Sequence, residues 1–222
     1  MSCIKQIFVD LDGPLLDSKE RHYFCYRTIL KRLGVEPIGI DEYWKMKRAR
    51  CNRKELLSMS GAEKVYDAFL AGWLELIESP DALQLDKLQE GAIECLSSWK
   101  RQGVKTILVT MRKNAQALDK QLRELSLRPF LEAVLVCDHS AGGTGKADAV
   151  LKAYPDRKIA KDAVWIGDTE VDWEAAKVLG CDVVLVSNGL RSNEYLVTLE
   201  GAILRQSIAT LKDIEAVETN VR

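Results

Sequence analysis

Six side chains in this sequence of 222 residues have the types and spacing to do chemistry together: Asp10, Asp12, Thr110, Lys146, Asp168 and Asp172. Each falls just after a short apolar run, or opens the helix that follows one. Ile7-Phe8-Val9 delivers Asp10 and Asp12 onto a turn at Gly13, and a run of β-formers without polar alternation suits a strand covered on both faces of a parallel sheet. In open α/β sheets ligands bind in the crevice beyond the carboxyl ends of the strands, so residues that follow separate strands converge there. Three or four carboxylates in one crevice repel each other strongly unless a cation is present, and ligation by oxygen alone suits Mg²⁺. A lysine and a threonine at the same edge offer a charge and a hydroxyl donor to a phosphate. Together the six describe a phosphoryl-transfer site. Asp-Leu-Asp-Gly alone also reads as an ordinary polar turn; the positions of the other residues give it weight.

The elements that must hold these side chains read as strands alternating with helices, interrupted once. After Ser18 the pattern is helical only, to about residue 88. Tyr23, Tyr26, Ile29, Leu30 and Leu33 form an apolar stripe ended by Gly34. Asp41 is the expected cap of a second helix running to Arg48, and Asn52 of a third carrying Leu56, Leu57 and Met59. A fourth runs from Glu63 to Pro80. Helices without strands cannot form a sheet layer, so they make a small unit inserted between the first and second strands. From Glu90 the expected order is a helix to Gly103, a strand over 105–109 ending on Thr110 and a helix over 114–125. A strand over 133–136 and a helix opening at Lys146 follow, then a strand over 163–166 before Gly167-Asp168, a helix over 171–179 and a strand over 183–186. An edge strand at 202–204 and a helix over 208–217 close the chain. This rhythm predicts a parallel sheet with right-handed crossovers and helices on both faces. Residues 137–145, rich in Ser, Gly and Thr, read as the one long loop.

Composition narrows the classes. At 47% hydrophobic and 29% charged the chain is ordinary for a globular protein with a packed core. A net charge of -1 argues against a general nucleic-acid binder. Six cysteines without a Cys-x-x-Cys pair read as reduced, mostly buried thiols. With neither a leader pattern nor an apolar stretch of spanning length, the expectation is a cytoplasmic protein that engages no membrane.

Asp10-Leu11-Asp12-Gly13-Pro14-Leu15-Leu16-Asp17-Ser18 resembles the first motif of the haloacid dehalogenase superfamily. Val109-Thr110 is similar to its second motif and Lys146 to its third. Gly167-Asp168-Thr169-Glu170-Val171-Asp172, with Ala175-Ala176 and Gly180, is similar to its fourth. The resemblance covers nearly the whole chain and points to the branch of phosphoglycolate-phosphatase-like and β-phosphoglucomutase-like enzymes. It implies an α/β fold, a Rossmann-like parallel sheet core (residues 1–18 and 89–222) with an inserted small α-helical cap domain (19–88). It also implies roles: Asp10 as nucleophile, forming an aspartyl-phosphate, and Asp12 as general acid and base. Mg²⁺ would be held by the Asp10 side chain, the Asp12 backbone carbonyl and Asp168, with Asp172 in support. Thr110 and Lys146 would hold the phosphoryl group, with Met111 beside them. Asp12 disfavours dehalogenation, since dehalogenases of the superfamily lack an acid there. The expected activity is hydrolysis of a small phosphorylated metabolite by a monomer or homodimer. The alternatives are a sugar phosphomutase on the same core, or a catalytically weak relative that binds a phosphorylated ligand or a partner.

Some residues depart from the family pattern or stand outside it. Pro14 replaces the usual Thr or Val and removes a backbone donor, Ala147 replaces a common proline, and Met111-Arg112 replaces small polar residues after Thr110, narrowing the phosphate site or adding a cation to it. Gly142 to Ala147 lacks the outer residues of a nucleotide-binding P-loop. His22 and His139 read as surface and loop residues, and Trp73, Trp99 and Trp165 as core. Lys45, Lys47, Arg48, Arg50, Arg53 and Lys54 form the densest basic cluster. It reads either as a solvated helix face or, through Trp44, Lys45, Lys47 and Arg48, as contacts to an anionic substrate. Hinges of the cap are expected at residues 17–19 and 86–91.

Overall fold

The computed structural model describes residues 4–137, 141–155 and 162–213. The first strand, β1 (Gln6–Val9), is buried along its whole length. After the turn at Gly13 comes a two-residue strand, β2 (Leu16–Asp17), and then a helical block. Its parts are α1 (Lys19–Arg32), α2 (Ile40–Arg48), α3 (Arg53–Ser58), a 3-10 turn at Glu63–Val65, α4 (Tyr66–Leu76) and α5 (Pro80–Leu83). The chain returns through β3 (Lys87–Leu88), which pairs antiparallel with β2. From there helix and strand alternate: α6 (Ala92–Arg101), β4 (Lys105–Thr110), α7 (Ala115–Glu124), β5 (Ala133–Val136), α8 (Gly142–Ala153), β6 (Ala163–Gly167), α9 (Glu170–Leu179) and β7 (Asp182–Val186). The last elements are α10 (Asn193–Leu196), β8 (Ile203–Arg205) and a 3-10 turn at Ile208–Leu211.

The large sheet has the order β5-β4-β1-β6-β7-β8, with every pair parallel. Because β1 lies between β4 and β6, the residues that follow these three strands are neighbours. The pleat explains the uniformly apolar strands. Ile7 and Val9 pack with Trp99 of α6 and with Leu118 and Leu122 of α7 on one face, while Phe8 packs with Trp165, Ala175 and Ala176 on the other. The helical block has an apolar cluster of its own, including Tyr26, Tyr43, Leu57, Phe69 and Trp73. Gly72 of α4 lets α1 approach, since a Cβ there would lie 3.2 Å from Ile29.

Several local expectations are corrected. Residues 19–88 are not wholly helical, because β3 closes the block against β2. Asp41 does not cap α2, which follows Gly39, and instead accepts Lys19 Nζ at 2.9 Å. Asn52 does cap α3, in a reciprocal arrangement with Glu55. The fourth helix opens as a 3-10 turn and ends at Leu76; Pro80 then starts α5 behind the Ser79 cap. The helix bearing Lys146 begins four residues early, at Gly142. Gly143 is a packing residue: a Cβ there would lie 2.6 Å from Val171 O and from Glu174 Cβ, so at this point α8 lies closer to α9 than any side chain would allow. The expected closing helix is a single 3-10 turn as far as residue 213, and its remainder, like His139, lies outside the described residues.

The return from the helical block depends on Gly91, at φ +78° ahead of α6, where a Cβ would meet Ala209 Cβ at 2.6 Å and Cα at 2.9 Å. Gly34 has a similar φ of +72° but open space around it. Gly91→Ala should therefore cost on the order of 2–4 kcal/mol, from left-handed strain plus overlap, and Gly34→Ala about 1 kcal/mol from strain alone. Urea unfolding of the two variants checks this; equal losses would remove the contact from the account.

Candidate active site

The ends of β1, β4 and β6 and the start of α8 surround a cavity of about 690 Å³, closed on the opposite side by the helical block. Asp10, Asp12, Thr110, Met111, Lys146 and Asp168 all line it. Lys146, only 1% exposed, sits between two carboxylates, its Nζ 2.9 Å from Asp10 Oδ2 and 2.7 Å from Asp172 Oδ1. Burial opposes its charge, but Asp10 and Asp172 outweigh that and push its ammonium above the usual lysine range.

The three acids around this lysine are used differently. Asp172 spends both oxygens on protein donors: Lys146 and Trp165 Nε1 on Oδ1, and the Asp168 amide, the Thr169 amide and the Thr169 hydroxyl on Oδ2. It therefore braces the turn from β6 into α9 and fixes Lys146 from behind. Asp10 accepts the Leu11 amide on Oδ1 at 2.8 Å and pairs with Lys146 through Oδ2. Asp168 takes the Leu190 amide on Oδ2 at 2.5 Å, while its buried Oδ1 has no partner among the described residues. Glycine is required beside it: a Cβ on Gly13, at φ +105°, or on Gly189 would fall 2.1 Å from Asp168.

Carboxylate oxygens of Asp10, Asp168 and Asp172 lie within 4.8 Å of one another. Burial, reinforced by Asp172 and Asp12, pushes the Asp10 carboxyl up to about 7 in spite of Lys146. Burial, with Asp172 and Asp10 close by, holds Asp168 well above the usual carboxylate range. An excess of buried acids with one orphaned acceptor oxygen suits a hard divalent cation bound by oxygens, Mg²⁺ above all.

Pro14 does not disturb the turn after β1. Its hydrogen bonds, from Gly13 to Leu16 O and from Leu15 and Leu16 to Leu11 O, need no amide at position 14.

Asp12 has a different setting. Its Oδ1 accepts Arg21 Nη2 at 2.6 Å and Arg112 Nη2 at 2.7 Å, and Oδ2 accepts Arg112 Nε at 2.8 Å. Burial alone would raise its carboxyl, but Arg112 and Arg21 outweigh it and hold Asp12 well below the usual range. Arg112 is thus a cationic contact to Asp12, the second of the two effects its position after Thr110 suggested. Nothing in the sequence marks Arg21, whose partner is nine residues away on another element.

From the helical block the cavity receives Arg53, Trp73 and His22. Trp44, Lys45, Lys47 and Arg48 are not among the residues that line it. Lys45 is exposed, and Arg48 reaches the backbone carbonyls of Ser187 and Arg191. The Lys47 ammonium stands 5.5 Å from the ring centre of Trp73, which lines the cavity. His22 is buried rather than superficial: burial, together with Lys47 and Arg21, holds its imidazole well below the usual range, and its Nδ1 has no partner among the described residues. Trp73 belongs to the core of the block, as expected, but one side of it forms cavity wall. Sequence periodicity marks such positions as apolar without telling which edge remains open.

A family model described as haloacid dehalogenase-like hydrolase matches residues 7–186. The chain belongs to this family. Among curated relatives, phosphoglycolate phosphatase of Nitrosococcus oceani is 28% identical over 83% of this chain and 84% of its own length. That of Rhodobacter capsulatus is 23% identical over 83% and 85%. A crystal structure described as a predicted phosphatase from Clostridium acetobutylicum superposes with a TM-score of 0.76 at 20% identity, covering 98% of this chain and all of that one. The helical block lies between the first strand of the core and the rest of it. Among the described residues no helix is long and apolar enough to cross a membrane.

The Asp10 environment makes a prediction for the protein freed of divalent cations. In the unfolded chain this acid is ionised above about pH 5, whereas the folded chain keeps its proton up to about 7. Folding therefore takes up a proton in this interval, and stability falls as pH rises from 5 to 7. The urea midpoint should decline over that range, with a shallower decline in Asp10→Asn or with added Mg²⁺. A flat profile in the cation-free wild type would contradict the assigned environment.

Proposed function

We propose that the chain is a Mg²⁺-dependent phosphatase that hydrolyses a small phosphorylated metabolite through an aspartyl-phosphate on Asp10. The observation that carries this reading is the convergence of Asp10, Asp12, Thr110, Lys146 and Asp168 on one cavity. The curated relatives named as phosphoglycolate phosphatases support the reaction class. Asp10, Asp168 and the Asp12 backbone carbonyl would hold the cation, with Asp172 behind them; once bound, it would offset charge on the transferring phosphoryl oxygens.

In the first half-reaction an Asp10 oxygen attacks phosphorus as the bond to the leaving oxygen breaks, and Asp12, which enters this step protonated, delivers the proton that oxygen needs. In the second, water attacks the phosphorus of the aspartyl-phosphate, Asp12 takes its proton, and the Asp10 carboxylate is regenerated with release of phosphate. Lys146 and Thr110 hold the phosphoryl group, Lys146 adding positive charge where negative charge accumulates. Residues 19–88 act as the cap over the core of residues 1–18 and 89–222, and Arg53, His22 and Trp73 meet the part of the substrate that does not react. Release of phosphate from a panel of phosphoglycolate, sugar phosphates and nucleotides tests the class. Conversion of a sugar phosphate to its isomer without net release would favour a mutase instead, and absence of any turnover a binding protein.

Asp10→Asn should abolish turnover with the fold retained, because an amide is neither a competent nucleophile nor a good cation ligand. Chelation should stop activity and Mg²⁺ should restore it; activity that survives thorough metal removal would oppose the cation's role. For the cap, Arg53→Ala should lower kcat/KM for the preferred substrate about tenfold, equivalent to ~1.4 kcal/mol, while Lys45→Ala changes it little. A small generic phosphate ester, with no remote group to lose, should be turned over equally by both. The opposite ranking would move the substrate's far end to the α2 face.

A further inference from the structure

The contacts of Asp12 continue beyond the cavity. Arg21 Nε donates to Asp86 Oδ1 at 2.7 Å, and Arg112 Nη2 donates to Asp86 Oδ2 at 2.9 Å. Two carboxylates and two guanidiniums thus form a closed ring of opposite charges. Arg21 is 1% exposed, Arg112 4% and Asp86 6%. Gln121 of α7 donates to Asp86 Oδ2 at 2.9 Å and to Leu83 O at 3.0 Å, fixing the carboxylate from the far side. The ring straddles the place where the helical block joins the core. Arg21 lies in the first turn of α1, just past β2, and Asp86 stands just before β3, while Asp12 and Arg112 belong to the core.

We propose that Asp86 is a positioning residue which, through Arg21 and Arg112, couples the angle of the cap at its β2–β3 hinge to the place of the Asp12 carboxylate. This rests on the reading of Asp12 as the proton carrier. A carboxylate offers about four acceptor sites, and three on Asp12 are filled by guanidinium N–H groups in the arrangement seen. The remaining site suffices to accept a proton from water in the second half-reaction. Two guanidiniums disfavour the protonated carboxyl that must present a proton to a leaving oxygen in the first, so withdrawal of one of them favours that step. Arg21, just past β2, and Asp86, just before β3, both lie on the cap side of the hinge, so cap rotation moves them together relative to Arg112 and loosens the hold on Asp12. Removing one member of such a buried ring leaves its partners' charges uncompensated, so they turn more fully to the member of opposite charge that remains.

A mere seal at the hinge would affect all substrates alike. The coupling affects those whose leaving group needs a proton. Asp86→Asn leaves both guanidiniums to Asp12 alone and holds it more firmly. Initial rates are compared for p-nitrophenyl phosphate, whose leaving group departs without protonation, and for an alkyl phosphate that the enzyme turns over. The expected result is a kcat for the alkyl ester reduced at least tenfold more than that for the aryl ester, with KM for either changed less than about twofold. Asp86→Glu should recover part of the loss. Gln121→Leu, which keeps all four charges, should show the same selectivity at about threefold, and it decides the matter if Asp86→Asn does not fold. Equal losses on the two esters, tracking a loss of stability, would overturn the proposal. Asp12→Asn separates the two levels: if it spares alkyl-ester turnover, the proton-carrier reading falls and this inference with it. If it abolishes that turnover while Asp86→Asn and Gln121→Leu show no selectivity, only the inference falls.

Discussion

The Lys146 ammonium lies 2.9 Å from Asp10 and 2.7 Å from Asp172, with Asp168 beside them and nearly all of the group out of contact with water. One positive charge among three buried carboxylates leaves a deficit that hydrogen bonds only partly cover. Asp172 is saturated with donors, but Asp168 retains an oxygen that none of the described residues satisfies. Isolated buried charge is expensive, and proteins relieve it by protonation, pairing or metal binding. The raised carboxyls of Asp10 and Asp168 describe the first kind of relief, and a bound cation would supply the last. A site destabilised in this way attracts both a hard cation and a substrate able to share it.

The parallel sheet makes such crowding possible. β1 lies between β4 and β6, so acids at the end of β1 and just past β6 meet although more than 150 residues separate them in sequence. The cap must then meet the core without adding further unbalanced charge, and it does so through pairs. Glu170 accepts both Arg191 and, from the cap, Arg50. Arg48 reaches core carbonyls, and the Arg21–Asp86 pair meets the Asp12–Arg112 pair beside the β2–β3 pair. Exposed pairs such as Arg50–Glu170 add little to stability. Their place at the cap–core seam makes them orienting contacts.

The strands were readable because burial on both faces leaves an apolar run with no polar alternation, as at Ile7-Phe8-Val9, and because turns concentrate glycine. The converging site was readable for the same reason: strand order brings together whatever follows each strand. Residues whose partners are set by the tertiary fold were not readable. Asp86 looks like any acid in a loop, and its partner Arg21 lies 65 positions away. The basic cluster was visible as charge, yet helical phase decides that Arg53 faces the cavity while Lys45 faces solvent. Gly142 and Gly143 were misleading because glycine marks both flexible loops and close helix packing. The two-residue strands at the hinge carry too little pattern to signal a β pair.

The account stands on a covalent phosphoryl group carried by Asp10. The most direct measurement is rapid acid quenching of the enzyme during turnover of a radiolabelled substrate in the presence of Mg²⁺, followed by proteolysis and identification of the labelled peptide. The prediction is a base-labile label confined to the peptide that contains Asp10, formed no more slowly than the overall turnover. Turnover with no protein-bound label, under conditions that stabilise an acyl phosphate, or with the label on another residue, would contradict it.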